Sequence, residues 1–335
     1  MHVAIIGGAS TIGTTVAYTL SGLAPSVDVS LVDIDEGAAW AHGTDIEHAS
    51  YHFAHAPGAV PGHDADSVGT IRSATPDELG ELDPDLLVFN AAAPQPDDAT
   101  DPSAREAELE RNLSIVRDVA EDLRSLDPTP LLVVTNPIDR IVYHFYTLLE
   151  WPRRCFIGYS LSETARMADG IADLVDGHRN DVYCPMMGEH GEHMVAVFSR
   201  ARVDGDPLDV TESERTELME YVRDIPFDIA EERGVDETSR WVTSAGVSRV
   251  VRAMAAADGD VPIDGTTAGV EPAGEDWTFC LSTPLDGEYG FEDVSLGVPV
   301  DLDAGGVAAI HEWDLTDGES AELRRAYESV RADLP

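Results

Sequence analysis

A histidine between two glycines is the strongest candidate for chemistry in this sequence. The segment Met186 to His193 reads MMGEHGEH and follows an apolar run, Val182 to Met187, that predicts a strand. A turn of this kind presents an imidazole to a cleft, and a histidine with a pKa of about 6.5 exchanges protons near neutral pH. We therefore predict that His190 is an acid/base group. The segment alone also fits a histidine in an ordinary turn.

Other histidines have spacings that resemble metal sites. His193 lies three residues after His190, and His48, His52 and His55 form a second group. Neither group is accompanied by the cysteine or carboxylate ligands that complete a transition-metal site. We predict no metal.

The composition excludes several classes of function. The chain has 335 residues, and 21 basic against 64 acidic side chains give a net charge of −43. All the basic residues are arginine, which excludes Schiff-base chemistry and the lysine of Walker-type phosphate loops. Binding to nucleic acid needs a basic surface, so no such partner is expected. The hydrophobic fraction of 43% is that of a globular protein. Strong brine would screen its charge, since the Debye length is about 3 Å at 1 M salt.

Cysteine usage and hydropathy indicate the compartment. Cys155, Cys184 and Cys280 are odd in number and lack CxxC spacing, which favours a reducing environment. No apolar run approaches the ~18 residues of a membrane span, and the sequence starts with a strand rather than a leader. We expect a protein of a halophile's cytoplasm that does not bind membranes.

The N-terminus has the pattern of a dinucleotide-binding turn. A strand from His2 to Ile6 leads into the glycine-rich segment Gly7 to Gly13 and a helical pattern from Thr14 to Leu23. Glycines let backbone N–H groups and the helix N-terminus approach a pyrophosphate. The next predicted strand ends with Asp33, twenty residues beyond Gly13, where a carboxylate accepts hydrogen bonds from the adenosine ribose. We predict NAD binding. Ser10 replaces the middle glycine, and its Cβ is expected to weaken binding.

The order of predicted elements indicates an α/β fold. Strands at Val27–Ile34, Asp85–Ala91 and Leu131–Thr135 alternate with helical patterns, as in a doubly wound parallel sheet, the Rossmann architecture. Longer helical patterns and further strands follow Asn136-Pro137. We predict a dinucleotide-binding domain over residues 1–138 and an α+β substrate domain over residues 139–335.

These residues together resemble the NAD-dependent L-lactate/malate dehydrogenases, in a halophilic form. The resemblance covers nearly the whole chain. It rests on the glycine turn with Asp33, Arg105 followed by Asn112, Thr135-Asn136-Pro137, Glu163 with Arg166, Gly188-Glu189-His190-Gly191-Glu192, and the C-terminal Gly287-Glu288-Tyr289-Gly290 and Gly297-Val298-Pro299-Val300.

The resemblance implies hydride transfer between NAD and a small L-2-hydroxy or 2-keto acid. His190 would be the acid/base, with Glu163 orienting its imidazole. Arg166 would bind the substrate carboxylate, Arg105 would polarise the keto oxygen and Asn136 would hydrogen-bond substrate or carboxamide. The implied cofactor-binding residues are Gly7, Gly8, Ser10, Thr11, Ile12, Gly13, Asp33, Asn112, Thr135 and Asn136, and the implied substrate-specificity residues are Gln95 and Ser239.

The sequence departs from the family pattern at the partner of the histidine. That residue is usually aspartate, whereas Glu163 is one methylene longer on a connection one residue shorter. The longer acid would restore the contact, or the change would mark altered or lost activity. Two other classes stay open at this point: an NAD-dependent glycosidase, which the turn also resembles, and a non-catalytic NAD-binding protein.

The loop from Pro94 to Pro102 indicates the class of substrate. In malate-type members an arginine follows the loop proline and pairs with the second carboxylate, whereas this chain has Gln95 and three added aspartates. We expect a 2-keto acid with a neutral side chain, lactate-like, over malate, unless a residue such as Arg240 supplies the charge.

The resemblance also implies a homodimer or homotetramer in which the region Trp40 to Phe53 contributes to the dimer contact.

Overall fold

The first part of the chain alternates strands with helices. The computed structural model describes residues 1–24, 26–55, 58, 68–94, 102–234, 239–257 and 279–334, with backbone alone from 102 to 108. In chain order the first elements are β1 (His2–Ile6), α1 (Thr11–Leu23), β2 (Asp28–Val32), α2 (Glu36–Phe53), β3 (Ile71–Ala74), β4 (Leu86–Phe89), α3 (Pro102–Leu123), β5 (Leu131–Val133), α4 (Ile138–Leu148) and β6 (Phe156–Gly158).

The second part mixes helices with antiparallel strands. Its elements are α5 (Leu161–Val175), β7 (Val182–Tyr183), β8 (Met186–Gly188), β9 (Met194–Ala196), β10 (Arg202–Val203), β11 (Asp206–Pro207), α6 (Glu212–Arg233), α7 (Arg240–Ala257), β12 (Phe279–Asp286), β13 (Glu292–Asp303), β14 (Gly306–Ile310) and α8 (Asp317–Ala332).

The predicted doubly wound parallel sheet is confirmed. Strands β3-β2-β1-β4-β5-β6 lie in this order and all pair in parallel. All four residues of β4 are fully buried, which is expected where helices cover both faces of a parallel sheet. The order reverses between β1 and β4, and in such sheets ligands bind at the carboxyl ends of the strands at this point.

The α+β part continues the same sheet instead of forming a separate one. Ser282 of β12 pairs with Gly158 of β6 in antiparallel orientation, and the order runs on through β13, β8 and β9, with β14 on the side of β13. A small sheet of β11, β10 and β7 stands apart from it. Since β6 is parallel to β5, the parallel strands extend beyond residue 138, where the sequence predicts a domain boundary. That boundary stays a prediction.

Several element predictions need correction. The run Val182 to Met187 is divided between β7 and β8, which belong to different sheets, because Pro185 has no N–H to donate to a continuous ladder. The helix predicted from Thr14 begins at Thr11, since the Ser10 side chain accepts from the Gly13 N–H as an N-cap. Helices α4 and α8 were not predicted. For α8 the signal was present, because Thr316 and Glu319 form a capping box.

No helix in the described ranges has the length and apolar character needed to cross a membrane.

Candidate active site

His190 lies in the turn that joins β8 to β9. The turn starts at Gly188, whose φ of +83° favours glycine and where a Cβ would lie 2.9 Å from the carbonyl oxygen of His193. Gly188 pairs with Gly297 of β13, and a Cβ on Gly297 would lie 2.9 Å from the Gly188 carbonyl oxygen. The turn is therefore fixed against the sheet by two close backbone contacts that exclude side chains.

Glu163 contacts two other predicted site residues, His190 and Arg166. Its Oε2 lies 3.1 Å from Nδ1 of His190, and its Oε1 lies 3.3 Å from Nη1 of Arg166. Neither Nδ1 nor Oε2 has another hydrogen-bond partner among the described residues. The side chains of His190 and Arg166 are 14% and 15% exposed, so both remain accessible from the cleft, whereas Glu163 is covered at 6%. The structure thus brings His190 beside Glu163 and Arg166, two residues of α5 that are distant from it in sequence.

The charges of this cluster stabilise one another. Burial by itself would lower the pKa of His190, but the Glu163 carboxylate and its hydrogen bond hold that pKa above the ordinary value. Burial would raise the pKa of Glu163, yet His190 and Arg166 hold it below the ordinary value. The arrangement therefore favours an imidazolium beside an ionised carboxylate near neutral pH.

The glycine turn is closely packed at the end of β1. A Cβ on Gly7 would lie 2.6 Å from the backbone nitrogen of Ala91, and one on Gly13 would lie 2.7 Å from the Gly7 carbonyl oxygen. The Ser10 hydroxyl donates to the Gly7 carbonyl at 2.7 Å and accepts from the Gly13 N–H at 3.1 Å and from Asn90 Nδ2 at 2.6 Å. Ser10 is therefore part of the turn's own hydrogen bonding.

Asp33 lies at the carboxyl end of β2, beside the glycine turn. Its Oδ2 accepts from the Ala9 N–H at 2.9 Å and its Oδ1 from the Asp35 N–H at 3.0 Å. Each carboxylate oxygen has two lone pairs, so both can still accept a ribose hydroxyl. The turn, the N-terminus of α1 and this carboxylate fit the pyrophosphate and ribose of NAD. Thr11 and Ile12 are the first two residues of α1, and their contact with the cofactor stays a prediction.

Asn112 and Thr135 connect segments at the cleft edge. Asn112 accepts from the Ala93 N–H at 2.8 Å and donates to the Asn136 carbonyl at 3.0 Å, and the Thr135 hydroxyl donates to the Ala91 carbonyl at 3.0 Å. Both side chains are buried, whereas Asn136 is exposed. These contacts hold the segment after β4 against the segment after β5. Direct contacts from Asn112 and Thr135 to a cofactor stay a prediction.

Two predicted residues lie outside what the structure describes. Gln95 falls outside the described ranges, and Arg105 is described by its backbone alone, near the start of α3. Ser239 is described. Its side chain is buried before α7, and its hydroxyl has no hydrogen-bond partner among the described residues. The Tyr159 hydroxyl links the start of α7 to the start of α5, since it lies 3.0 Å from the Ser162 hydroxyl and donates to the Val242 carbonyl at 3.1 Å.

Two residues behind His190, Asp139 and Arg140, are not among the site residues predicted from the sequence. Asp139 accepts from the His190 backbone N–H at 2.7 Å and from the Ser282 hydroxyl at 2.6 Å. Arg140 donates to Glu189 Oε1 at 2.9 Å. The only sequence signal was an acidic residue in the first turn of a helix, and such a residue ordinarily offsets the helix dipole at the surface. The burial of Asp139 in the first turn of α4 can be recognised only in the folded chain.

Comparisons with known proteins agree with this geometry. Residues 1–158 match the model of the lactate/malate dehydrogenase NAD binding domain, and residues 163–334 match that of the lactate/malate dehydrogenase alpha/beta C-terminal domain. The chain is 30% identical over 331 residues to malate dehydrogenase 1 of Anaeromyxobacter dehalogenans, covering 98% of this chain and 95% of that protein. It is 28% identical over 335 residues to a malate dehydrogenase of Halobacterium salinarum, covering 98% and 97%.

A solved structure supports the same assignment. The crystal structure of malate dehydrogenase from Salinibacter ruber superposes with a TM-score of 0.78 at 26% identity, covering 99% of this chain and 96% of that one. The two family models together span both the parallel part and the antiparallel part of the sheet, and the turn and the His190 cluster lie within their ranges. The chain therefore belongs to the lactate/malate dehydrogenase family and is an NAD-dependent 2-hydroxyacid dehydrogenase.

Proposed function

We propose that His190, Glu163 and Arg166 carry out the proton transfer and substrate binding of this dehydrogenase. The observation that carries the proposal is the position of the Glu163 carboxylate between the imidazole and the guanidinium. Family membership excludes the two alternatives that the sequence left open, an NAD-dependent glycosidase and a non-catalytic NAD-binding protein. The contact between Glu163 and His190 is present despite the longer acid, which supports retained activity.

His190 is the proton donor for reduction. A proton on Nδ1 faces Glu163, which leaves Nε2 to exchange the second proton with the substrate oxygen. NADH, when bound, supplies the hydride to C2 of the keto acid. The proton from the imidazolium then completes the hydroxyl group, so that one hydride and one proton convert the keto group to an alcohol. In the oxidative direction neutral His190 takes the hydroxyl proton, and Glu163 stabilises the cation that forms.

Arg166 binds the C1 carboxylate of the substrate. The contact with Glu163 occupies one donor at Nη1, and a guanidinium has five N–H donors in a planar fork. Two parallel hydrogen bonds from this fork match a carboxylate, and lysine would not supply them. Because the same Glu163 carboxylate contacts Arg166 and His190, it sets the spacing between the bound carboxylate and the proton donor. Arg105 is proposed to polarise the keto oxygen, as the family resemblance implies.

The preferred substrate is proposed to be a 2-keto acid with an uncharged side chain. Gln95 follows the loop proline and has no charge for a second carboxylate, and Asp97, Asp98 and Asp101 would repel one. Oxaloacetate is the second candidate, since the relatives at 28% and 30% identity are named malate dehydrogenases. Arg240, at the first position of α7 beside Ser239, is the basic residue that would then take over the missing role.

A substrate panel tests both parts of the proposal. We expect NADH oxidation in molar KCl with pyruvate or 2-ketobutyrate, at a higher kcat/KM than with oxaloacetate. Gln95→Arg should then shift the preference towards oxaloacetate, by about a hundredfold if a charge-assisted pair forms. A preference for oxaloacetate in the unmodified enzyme that is lost in Arg240→Gln would show that Arg240 supplies the charge. No turnover with any keto acid would overturn the catalytic proposal.

We also propose a halophilic, cytoplasmic homodimer or homotetramer. The charge of −43 and the similarity to a Halobacterium salinarum enzyme support adaptation to molar salt. On α2, Trp40, Tyr51 and Phe53 are 64%, 50% and 42% exposed, which supports burial of this helix against a second copy. Sedimentation in molar KCl measures the mass, and Trp40→Glu should shift it towards the monomer.

A further inference from the structure

Asp139 lies behind His190 and is almost completely buried. It is the second residue of α4, three positions after Asn136, and its exposure is 1%. Its Oδ2 accepts from the His190 backbone N–H at 2.7 Å, and its Oδ1 accepts from the Ser282 hydroxyl at 2.6 Å. Both contacts are short enough to be strong hydrogen bonds to a carboxylate.

These contacts connect three elements of the site. Ser282 belongs to β12 and pairs with Gly158 of β6, where the sheet changes from parallel to antiparallel. The next residue of α4, Arg140, binds the residue immediately before His190. It donates to Glu189 Oε1 at 2.9 Å and also contacts Asp333. Two consecutive residues of α4 therefore hold two consecutive residues of the His190 turn.

The carboxylate of Asp139 is held by neutral donors. A hydroxyl and a backbone N–H satisfy its oxygens, and no arginine among the described residues forms an ion pair with it. A buried carboxylate without a paired cation costs free energy, so it is an unexpected choice for a purely structural contact. Such groups are candidates for a functional role when they lie beside a catalytic side chain.

The charged groups around His190 come from each element packed against it. Helix α5 contributes Glu163 and Arg166, the turn contributes Glu189, and α4 contributes Asp139. Of these, Glu163 contacts the ring itself, whereas Asp139 contacts the backbone of the same residue. Two carboxylates from different elements therefore contact His190, one at its ring and one at its backbone.

We propose that Asp139 is a positioning residue for His190: it fixes the turn through the backbone N–H and adds a second negative charge that stabilises the imidazolium. This inference rests on the proposed role of His190 as proton donor. It extends that role, because the carboxylate acts from behind the residue and does not touch substrate or cofactor.

The direction of the pKa shifts agrees with this assignment. Burial raises the pKa of Asp139 to about 6, while the hydrogen bonds from Ser282 and the His190 N–H oppose the rise. Asp139 is then ionised at neutral pH. Its charge adds to that of Glu163 in raising the pKa of His190. Loss of the charge should consequently leave the imidazole a stronger acid.

Asp139→Asn separates charge from geometry. The amide has nearly the same shape, and its oxygen can accept from the His190 N–H while its nitrogen donates to the Ser282 hydroxyl. In the full enzyme in molar KCl, we expect the alkaline limb of kcat/KM for keto-acid reduction to move to lower pH by about one unit. Activity above that limb should fall about tenfold, with the Kd for NADH unchanged. Ser282→Ala is the matched control, because it removes one hydrogen bond and keeps the carboxylate. Since that hydrogen bond lowers the pKa of Asp139, its loss raises this pKa further, and the alkaline limb should move less than in Asp139→Asn.

A second measurement does not depend on turnover. The chain has 11 histidines, and the His190 imidazole C–H signal is identified by its loss in His190→Asn. Its NMR titration should give a lower pKa in Asp139→Asn than in the unmodified protein or in Ser282→Ala. Equal His190 pKa values in all three proteins would overturn the inference, as would a fall in kcat at every pH with an unmoved limb. If the unmodified protein reduces no keto acid, the proposed function fails, while the titration still decides the role of Asp139.

Discussion

Glu163 reaches His190 across 3.1 Å from the first turn of α5, although it is one methylene longer than the aspartate of the family pattern. The connection from β6 to α5 contains only Tyr159 and Ser160. We expect that a shorter connection holds the helix start farther from the turn, and that the longer side chain then restores the contact. On this prediction the two departures from the family pattern compensate each other.

Glu163→Asp should lower activity even though aspartate is the usual residue. Shortening the side chain would withdraw the carboxylate from Nδ1, and a misplacement of about 1 Å at a catalytic group costs on the order of a hundredfold. Steady-state kinetics of keto-acid reduction measure the loss in kcat. Glu163→Gln is the companion variant, since it keeps the length and removes the charge. An Asp variant as active as the unmodified enzyme would contradict the compensation.

His190→Asn should retain NADH binding and lose turnover. The imidazole contributes to proton transfer in the transition state, so we expect kcat to fall by about a hundredfold to ten-thousandfold. Quenching of protein fluorescence by NADH gives the Kd, and absorbance at the nicotinamide band gives the rate. Full activity of the variant would remove His190 from the mechanism.

The cofactor preference should follow from Asp33. A carboxylate beside the adenosine ribose repels a 2′-phosphate, so kcat/KM with NADH should exceed that with NADPH by about tenfold or more, equivalent to about 1.4 kcal/mol. Asp33→Asn should lower the ratio of kcat/KM with NADH to kcat/KM with NADPH. Because Asp33 also accepts from the Ala9 N–H, the melting temperature of the variant serves as the control for the fold of the turn. An unmodified enzyme that prefers NADPH would refute the assignment.

Stability should depend on pH through Asp139. Its folded-state pKa of about 6 lies above the ordinary value of 3.8, so the folded protein binds the proton more tightly than the unfolded chain. The free energy of unfolding therefore falls as pH rises from 4 through 6, by about 3 kcal/mol. The raised pKa of His190 acts in the same direction at higher pH, from its ordinary value of 6.5 upward. Urea unfolding in molar KCl should show this fall in the unmodified protein and a smaller one in Asp139→Asn. If the free energy of unfolding changes with pH to the same extent in both proteins, Asp139 does not cause the pH dependence.

Salt should stabilise the fold. The net charge of −43 produces self-repulsion that is screened when the Debye length is reduced to about 3 Å at 1 M salt. We expect the melting temperature and the activity to rise towards molar KCl, and the structure to be lost in dilute buffer. Replacing exposed aspartates with asparagine should weaken that dependence. A melting temperature indifferent to salt would count against halophilic adaptation.

The sequence by itself determined the local features of this enzyme. The alternation of apolar strands with helices, the glycine turn with Asp33, and the turn around His190 are set by nearest-neighbour chemistry, so their periodicity and spacing can be read directly. The parallel sheet was predictable for this reason, and the family resemblance implied Glu163 and Arg166 as site residues. Gln95 and Arg105 stay predictions.

The tertiary structure decided which of these features meet. His190 and Asp139 are 51 positions apart, and Asp139 and Ser282 are 143 apart. Such contacts depend on the antiparallel pairing of β12 with β6, which places β8 and its turn beside the carboxyl ends of the parallel strands. No local pattern encodes that pairing, because an acid in the first turn of a helix has the same sequence signature whether it faces solvent or the back of a catalytic histidine.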